Sequence, residues 1–177
     1  MRKLFSVILF IVASLVVETT IVKRTHAAAL TLSAAALVGI ATHEGFRDKA
    51  YTPVKGDVNT IGFGTTRNAD GSSVKPNQTI TVERALISLL NDANKFEQAV
   101  KRCAPVPMFQ YEYSAYVSLA YNIGENAFCK STLVEKLNNL DYTGACEEIL
   151  KWDKFKGKPL LGLTKRRQQE YNMCIGK

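Results

Sequence analysis

Apolar and polar residues follow three different rhythms along this chain, and each predicts a different kind of element. After Met1-Arg2-Lys3 comes a run from Leu4 to Val17 that is apolar except for Ser6 and Ser14. Between Ala50 and Thr66, β-branched residues and Phe63 mix with Pro53 and several glycines, the pattern of a small antiparallel hairpin. Elsewhere apolar residues recur at helical spacing.

The helical segments can be placed individually. Thr31 or Ser33 can cap a helix over Ala34–Thr42, with Leu32, Ala36, Leu37, Ile40 and Ala41 on one side. Asn68–Asn77 is turn-forming. Thr81 and Glu83 open a helix carrying Val82, Ala85, Leu86, Leu89 and Leu90 and running through Lys101, before Pro105 and Pro107 interrupt. Gln110–Ile123 predicts a buried helix, Thr132–Asn138 and Thr143–Trp152 two more, Gly157–Gly162 a loop and Leu163–Cys174 a terminal helix, with Trp152 a core residue. One small sheet among many helices is an α+β, mainly helical fold. The expected organisation is an export segment over residues 1–27 and one folded domain over 28–177.

The amino-terminal run has the composition of an export signal. In one reading it is cleaved near Thr25-His26-Ala27-Ala28. In the other it stays as an anchor through residues 4–22, ending at Lys23-Arg24. Its apolar core falls short of the ~20 residues a stable span needs, and Glu18 at mid-membrane costs roughly 2.5–3.5 kcal/mol, so such an anchor holds weakly.

Composition narrows the possibilities for the remainder. Of 177 residues, 46% are apolar and 22% charged, which argues against disorder. The net charge is +7, and taking away Arg2, Lys3, Lys23, Arg24 and Glu18 leaves +4. A basic surface suits an anionic polymer. With no ribonucleoprotein motif, zinc-finger spacing or basic helix, a cell wall fits better than nucleic acid. Cys103, Cys129, Cys146 and Cys174 form no C-x-x-C pair. In an exported chain an even count reads as two disulfides in any of three pairings, the alternative being four buried thiols. His26 and His43 lack companion ligands, so neither a metal nor an organic cofactor is expected.

The chemistry concentrates between Glu44 and Thr66. Glu44 ends an apolar segment, and Asp57 is the only acid between Tyr51 and Thr66. Two carboxylates in unequal settings suit acid-assisted cleavage of a glycosidic bond: one must hold a proton, the other must stay charged. Each residue also has a plainer role. Glu44 can be a solvated helix-end glutamate, Asp57 a turn residue capping its own backbone beside Gly56, and Thr60 an ordinary strand residue. Asp48 is a lesser candidate that faces solvent.

The segment Glu44-Gly45-Phe46-Arg47, then Tyr51, Gly56 and Thr60-Ile61-Gly62-Phe63-Gly64, resembles the active-site signature of the phage lysozymes of the T-even and lambdoid type. The resemblance continues in order through Ala120-Tyr121-Asn122-Ile123-Gly124, Ser131-Thr132-Leu133, Gly144-Ala145-Cys146, Trp152 and Gly162-Leu163-Thr164-Lys165-Arg166-Arg167. It covers roughly residues 33 to 177 and implies a lysozyme-like endolysin, a monomer, that hydrolyses β-1,4 bonds between N-acetylmuramic acid and N-acetylglucosamine with inversion.

The resemblance also implies roles for individual residues. Glu44 is the general acid, and Thr60 positions water with Asp57. Tyr51, Gly62, Phe63, Gly64, Asn122 and Gln110 line the cleft, and Arg166 pairs with Glu44, unless Arg166 and Arg167 are a solvated pair beside Glu170. The order of the motifs suggests Cys103–Cys129 and Cys146–Cys174. Some relatives carry a signal-anchor-release segment, which implies an inner-membrane stage followed by the periplasm. One departure is plain: the family's second acid follows the glutamate by nine positions and precedes the threonine by six, but here those positions hold Pro53 and Val54. Loss of that acid leaves open a non-catalytic, membrane-tethered wall-binding protein on the same scaffold.

Overall fold

The computed structural model describes residues 23–53 and 56–177; of the export segment expected over residues 1–27, residues 1–22, which include the membrane run 4–22, lie outside them. Helix α1 (Ala34–Glu44) begins at Ser33, whose hydroxyl accepts from the Ala36 N–H at 3.2 Å. It ends at Gly45, where φ is +70° and the N–H closes on the Ala41 carbonyl. The helix therefore runs two residues past Thr42, putting Glu44 in its last turn.

The expected hairpin is present, but it begins earlier than Ala50. Strand β2 (Arg47–Tyr51) pairs antiparallel with β3 (Thr60–Gly62), with Arg47 opposite Gly62, Tyr51 opposite Thr60 and an irregularity between. Apart from half-buried Ala50, β2 is exposed, so it carries no buried alternation for periodicity to find. Helix α2 (Val82–Cys103) is capped by Thr81 and buries Ala85, Leu89, Ala93 and Val100 at helical spacing. Gly62 is pressed against it: a Cβ there would come within 2.9 Å of the Ala85 Cβ, and φ is +65°. Glycine is what lets the hairpin lie this close to the helix.

Helix α3 (Gln110–Ile123) is buried continuously from Glu112 to Ala120, its polar members Glu112, Ser114 and Ser118 included. Around it lie α2 and α7 (Leu161–Cys174), which starts two residues before Leu163. A short helix α4 (Glu125–Cys129), not anticipated from the sequence, leads to α5 (Thr132–Asn138) and α6 (Tyr142–Ile149). The larger core surrounds α3, with Met108, Phe128, Leu133, Leu137 and Ile149 fully buried and Trp152 half-buried at its edge. A smaller cluster of Ile40, Ala41, Phe63, Ala85 and Leu89 sits beneath the hairpin.

The folded body starts before residue 28. Strand β1 (Thr25–His26) pairs with β4 (Pro107–Met108), and Ala27 is fully buried. Arg24 donates from Nη2 and Nε to the buried Glu112 carboxylate at 2.7 and 3.2 Å. Its guanidinium lies 4.3 Å from the Phe109 ring centre and 3.8 Å from that of Tyr142. The boundary expected between residues 27 and 28 falls inside this packed strip. The remaining strands, β5 (Lys154–Phe155) and β6 (Lys158–Pro159), form a small exposed hairpin before α7.

Two disulfides, Cys103–Cys129 and Cys146–Cys174, tie α2 to α4 and α6 to α7. They close sequence separations of 26 and 28 residues. In the chain-entropy description each stabilises the fold by about 3–4 kcal/mol. Replacing Cys146 and Cys174 together by alanine is expected to lower the urea-unfolding free energy by about that amount. A loss below 1 kcal/mol would contradict it.

Candidate active site

Glu44 owes its position to the end of α1. A carboxylate in the last turn of a helix faces the negative end of the macrodipole and needs a compensating cation. Arg166 of α7 supplies it: Nη1 donates to Glu44 Oε1 at 2.9 Å. The Arg166 side chain is 5% exposed and that of Glu44 23% exposed, so the cation is fixed while the carboxylate keeps an open side.

Arg166 is held by further bonds. Its Nε donates to Glu170 Oε1 at 3.1 Å and its Nη2 to the Ser118 carbonyl at 3.4 Å. Glu170 also accepts from the Ser118 hydroxyl at 2.7 Å and pairs with the fully buried Arg167 at 2.8 Å. Charges thus alternate from Glu44 through Arg166 and Glu170 to Arg167. The two arginines are not the solvated pair that the sequence also allowed. The burial of Glu170 was missed because its neighbours in sequence are polar.

The open side of Glu44 faces a cavity of about 340 Å³. Gly64 and Thr66 from the end of the hairpin, Asp92 and Phe96 from α2, and Tyr121 from α3 line it, with Arg67 and Lys95 at its margins. A Cβ on Gly64, where φ is +99°, would lie 3.8 Å from Glu44 Oε2. Tyr121 donates to the Phe63 carbonyl at 3.4 Å. Burial, then the negative charge of Glu44 and of Asp92, hold its hydroxyl far above the usual phenol range. It is therefore a neutral donor beside two carboxylates. A larger cavity of about 470 Å³ lies on the far side of Thr65, between α2 and the 68–80 loop, away from Glu44.

The other residues expected from the sequence lie as follows. Asp57 is exposed on the hairpin turn, where Oδ1 accepts from the Val58 N–H at 2.8 Å. Thr60 is buried and donates to the Val58 carbonyl at 3.3 Å. Tyr51 is exposed opposite Thr60, with the Arg47 guanidinium 5.6 Å from its ring centre. Phe63 packs its ring on Phe46 at 5.5 Å and turns its carbonyl to Tyr121. Asn122 is exposed, and its neighbour Tyr121 is the residue that reaches the cavity. Gln110 bonds to the Thr31 carbonyl and Ser114, away from Glu44. Asp92 was overlooked. Its only sequence signal is an acid one residue before Ala93 in the buried stripe of α2.

Comparison with known proteins places this arrangement among relatives. A phage lysozyme family model matches residues 41–170. The endolysin of Salmonella phage P22 is 36% identical over 140 residues, covering 79% of this chain and 95% of the relative. A solved lysozyme of phage P22 superposes with a TM-score of 0.75 at 34% identity, covering 83% of this chain and 99% of that one. The endolysin of Bacillus phage B103 is 39% identical over 147 residues, 82% of this chain; the chain spans about half, 54%, of that relative's length. A SAR-endolysin of bacteriophage PS34 is 26% identical over 161 residues, 90% of this chain and 94% of the relative.

The buried charge chain makes a stability prediction. Removing Glu170 leaves two buried guanidinium groups without their shared carboxylate, which costs roughly 3–5 kcal/mol. Urea unfolding of Glu170→Ala is expected to show a loss of that size. A loss under 1 kcal/mol would mean that water substitutes for the carboxylate.

Proposed function

The chain belongs to the phage lysozyme family, and from that premise we propose that it is an endolysin that hydrolyses the β-1,4 bonds between N-acetylmuramic acid and N-acetylglucosamine in peptidoglycan. The observation that carries this is the Glu44 carboxylate, anchored on one side by buried Arg166 and open on the other to a cavity wide enough for a sugar ring. In this reading Glu44 protonates the leaving glycosidic oxygen. Gly64 keeps the wall beside it clear of a side chain, and Gly62 lets the hairpin that carries it lie against Ala85. Tyr51, Phe63, Asn122 and Arg166 complete the substrate-binding set in the family pattern, while the hairpin groups Asp57 and Thr60 stand outside this cavity, Asp57 on the Val58 N–H and Thr60 on the Val58 carbonyl. Inversion would require the two working carboxyls to stand roughly 6.5–9.5 Å apart. The basic body, +4 beyond residue 27, suits an anionic wall.

The rival is a wall-binding protein with no turnover, motivated by Pro53 at the family's acid position. Glu44→Gln separates the two. The amide keeps the size and a hydrogen bond to Arg166 but has no proton to give. Lysis of peptidoglycan suspensions, followed by turbidity, is expected to fall by roughly 10²–10⁴-fold with the fold intact. Binding without lysis by the unaltered chain would favour the rival.

The amino-terminal segment, in the same proposal, tethers the enzyme in the host inner membrane through residues 4–22 and then releases it to the periplasm. Support comes from its weak apolar core and from the similarity to a SAR-endolysin. The packed strip adds a reason against loss of residues 1–27: a cut there would strip Arg24 from the buried Glu112 carboxylate. Among the described residues no helix is long and apolar enough to cross a membrane, so the tether is assigned to the amino-terminal run alone. Fractionation of expressing cells is expected to find the full-length chain first with the membrane and later in soluble periplasm. A soluble form beginning at Ala28 would contradict the tether.

A further inference from the structure

Granted the glycosidase chemistry proposed for Glu44, we infer that Asp92 is the second working carboxylate of this cleft, holding the attacking water in place of the aspartate that Pro53 has replaced. Among the described residues lining the Glu44 cavity, Asp92 is the only other acid. It comes from α2, a different wall from the α1 terminus that carries Glu44, and Tyr121 of α3 lines the same cavity.

The Asp92 carboxylate is held but not consumed. Oδ2 accepts from the buried Thr65 hydroxyl at 3.3 Å, which tethers that oxygen. Oδ1 accepts from Lys95 Nζ at 2.7 Å, but the lysine is 72% exposed. An exposed ion pair of this kind is worth about 0–1 kcal/mol, so the ammonium can yield that oxygen to water at little cost. Asp57 offers less: it is exposed, it is committed to the Val58 N–H beside Gly56, and it does not line this cavity.

The step balances with these groups. Water oxygen bonds to the anomeric carbon as the bond from that carbon to the glycosidic oxygen breaks. The leaving oxygen takes the proton of Glu44, one proton of the water passes to Asp92, and exchange with solvent resets both acids. Arg166 stays on Glu44 throughout, and Tyr121 remains neutral.

The test compares Asp92→Asn and Asp92→Ala with Asp57→Asn and Asp57→Ala, using the full chain in mild detergent and purified peptidoglycan, with melting temperature followed in parallel. Asp92→Asn is expected to lower kcat by roughly 100-fold or more with KM and melting temperature little changed, while Asp57→Asn stays within a few-fold of the unaltered enzyme. Sodium azide supplies a small anionic nucleophile that needs no base. It is expected to restore turnover to Asp92→Ala and give a glycosyl azide of inverted configuration, with no such product from Asp57→Ala. Near-normal kcat in Asp92→Asn overturns the inference. So does azide rescue at position 57 alone, or a loss in the Asp92 variants that only follows their melting temperature without an azide product. Failure of the unaltered chain to cleave peptidoglycan would instead remove the glycosidase reading. An active Asp92→Asn beside an inactive Glu44→Gln would remove only the role of Asp92.

Discussion

A single buried guanidinium, that of Arg166, fixes the geometry on which this site depends. It reaches from α7 to the end of α1, taking Glu44 with one nitrogen, Glu170 with another and the Ser118 carbonyl with a third. Without it, Glu44 would be an unfavourable anion at a helix C-terminus. With it, three helices are locked together at the point where the cleft opens. The guanidinium suits this role because its rigid fork can satisfy several acceptors in fixed directions, which an ammonium cannot. Such a network commits the protein to one packing, since a buried ion left without its partner is costly.

The hairpin meets this fixed point under a second constraint. Gly62 lies so close to Ala85 that a methyl group would clash, and Gly64 passes beside Glu44 with φ at +99°. These two glycines bring the backbone of the β segment against α2 and the acid while leaving the space between them open. The cavity is therefore bounded by backbone and by side chains from α1, α2 and α3, and its polar groups are few: two carboxylates, a tyrosine, Thr66 and the cations at the margin.

Much of this could be read in the sequence because it rests on local pattern. The α2 stripe and the apolar body of α3 gave their helices directly, and the Thr60–Gly64 segment gave the inner strand of the hairpin. What escaped was set by tertiary contact. The last turn of α1 is Thr42-His43-Glu44, polar in sequence and helical because Gly45 closes it. Strand β2 is mostly exposed and charged, so no alternation marks it. Glu170 reads as a surface residue until α3 and α7 close over it. Arg24 reads as the flank of the apolar run, yet it is clamped between Phe109 and Tyr142 above a buried glutamate. Asp92 and Tyr121 meet Glu44 only because three helices converge, and no spacing along the chain encodes that meeting.

The central claim is that the Glu44 cleft breaks the bond on the reducing side of muramic acid. The most direct measurement is the identity of the sugar at each new chain end. Purified peptidoglycan digested to completion, reduced with borohydride and hydrolysed, should yield muramitol as the reduced amino sugar formed by the enzyme. Glucosaminitol in its place, or no new reducing ends at all, would contradict the account.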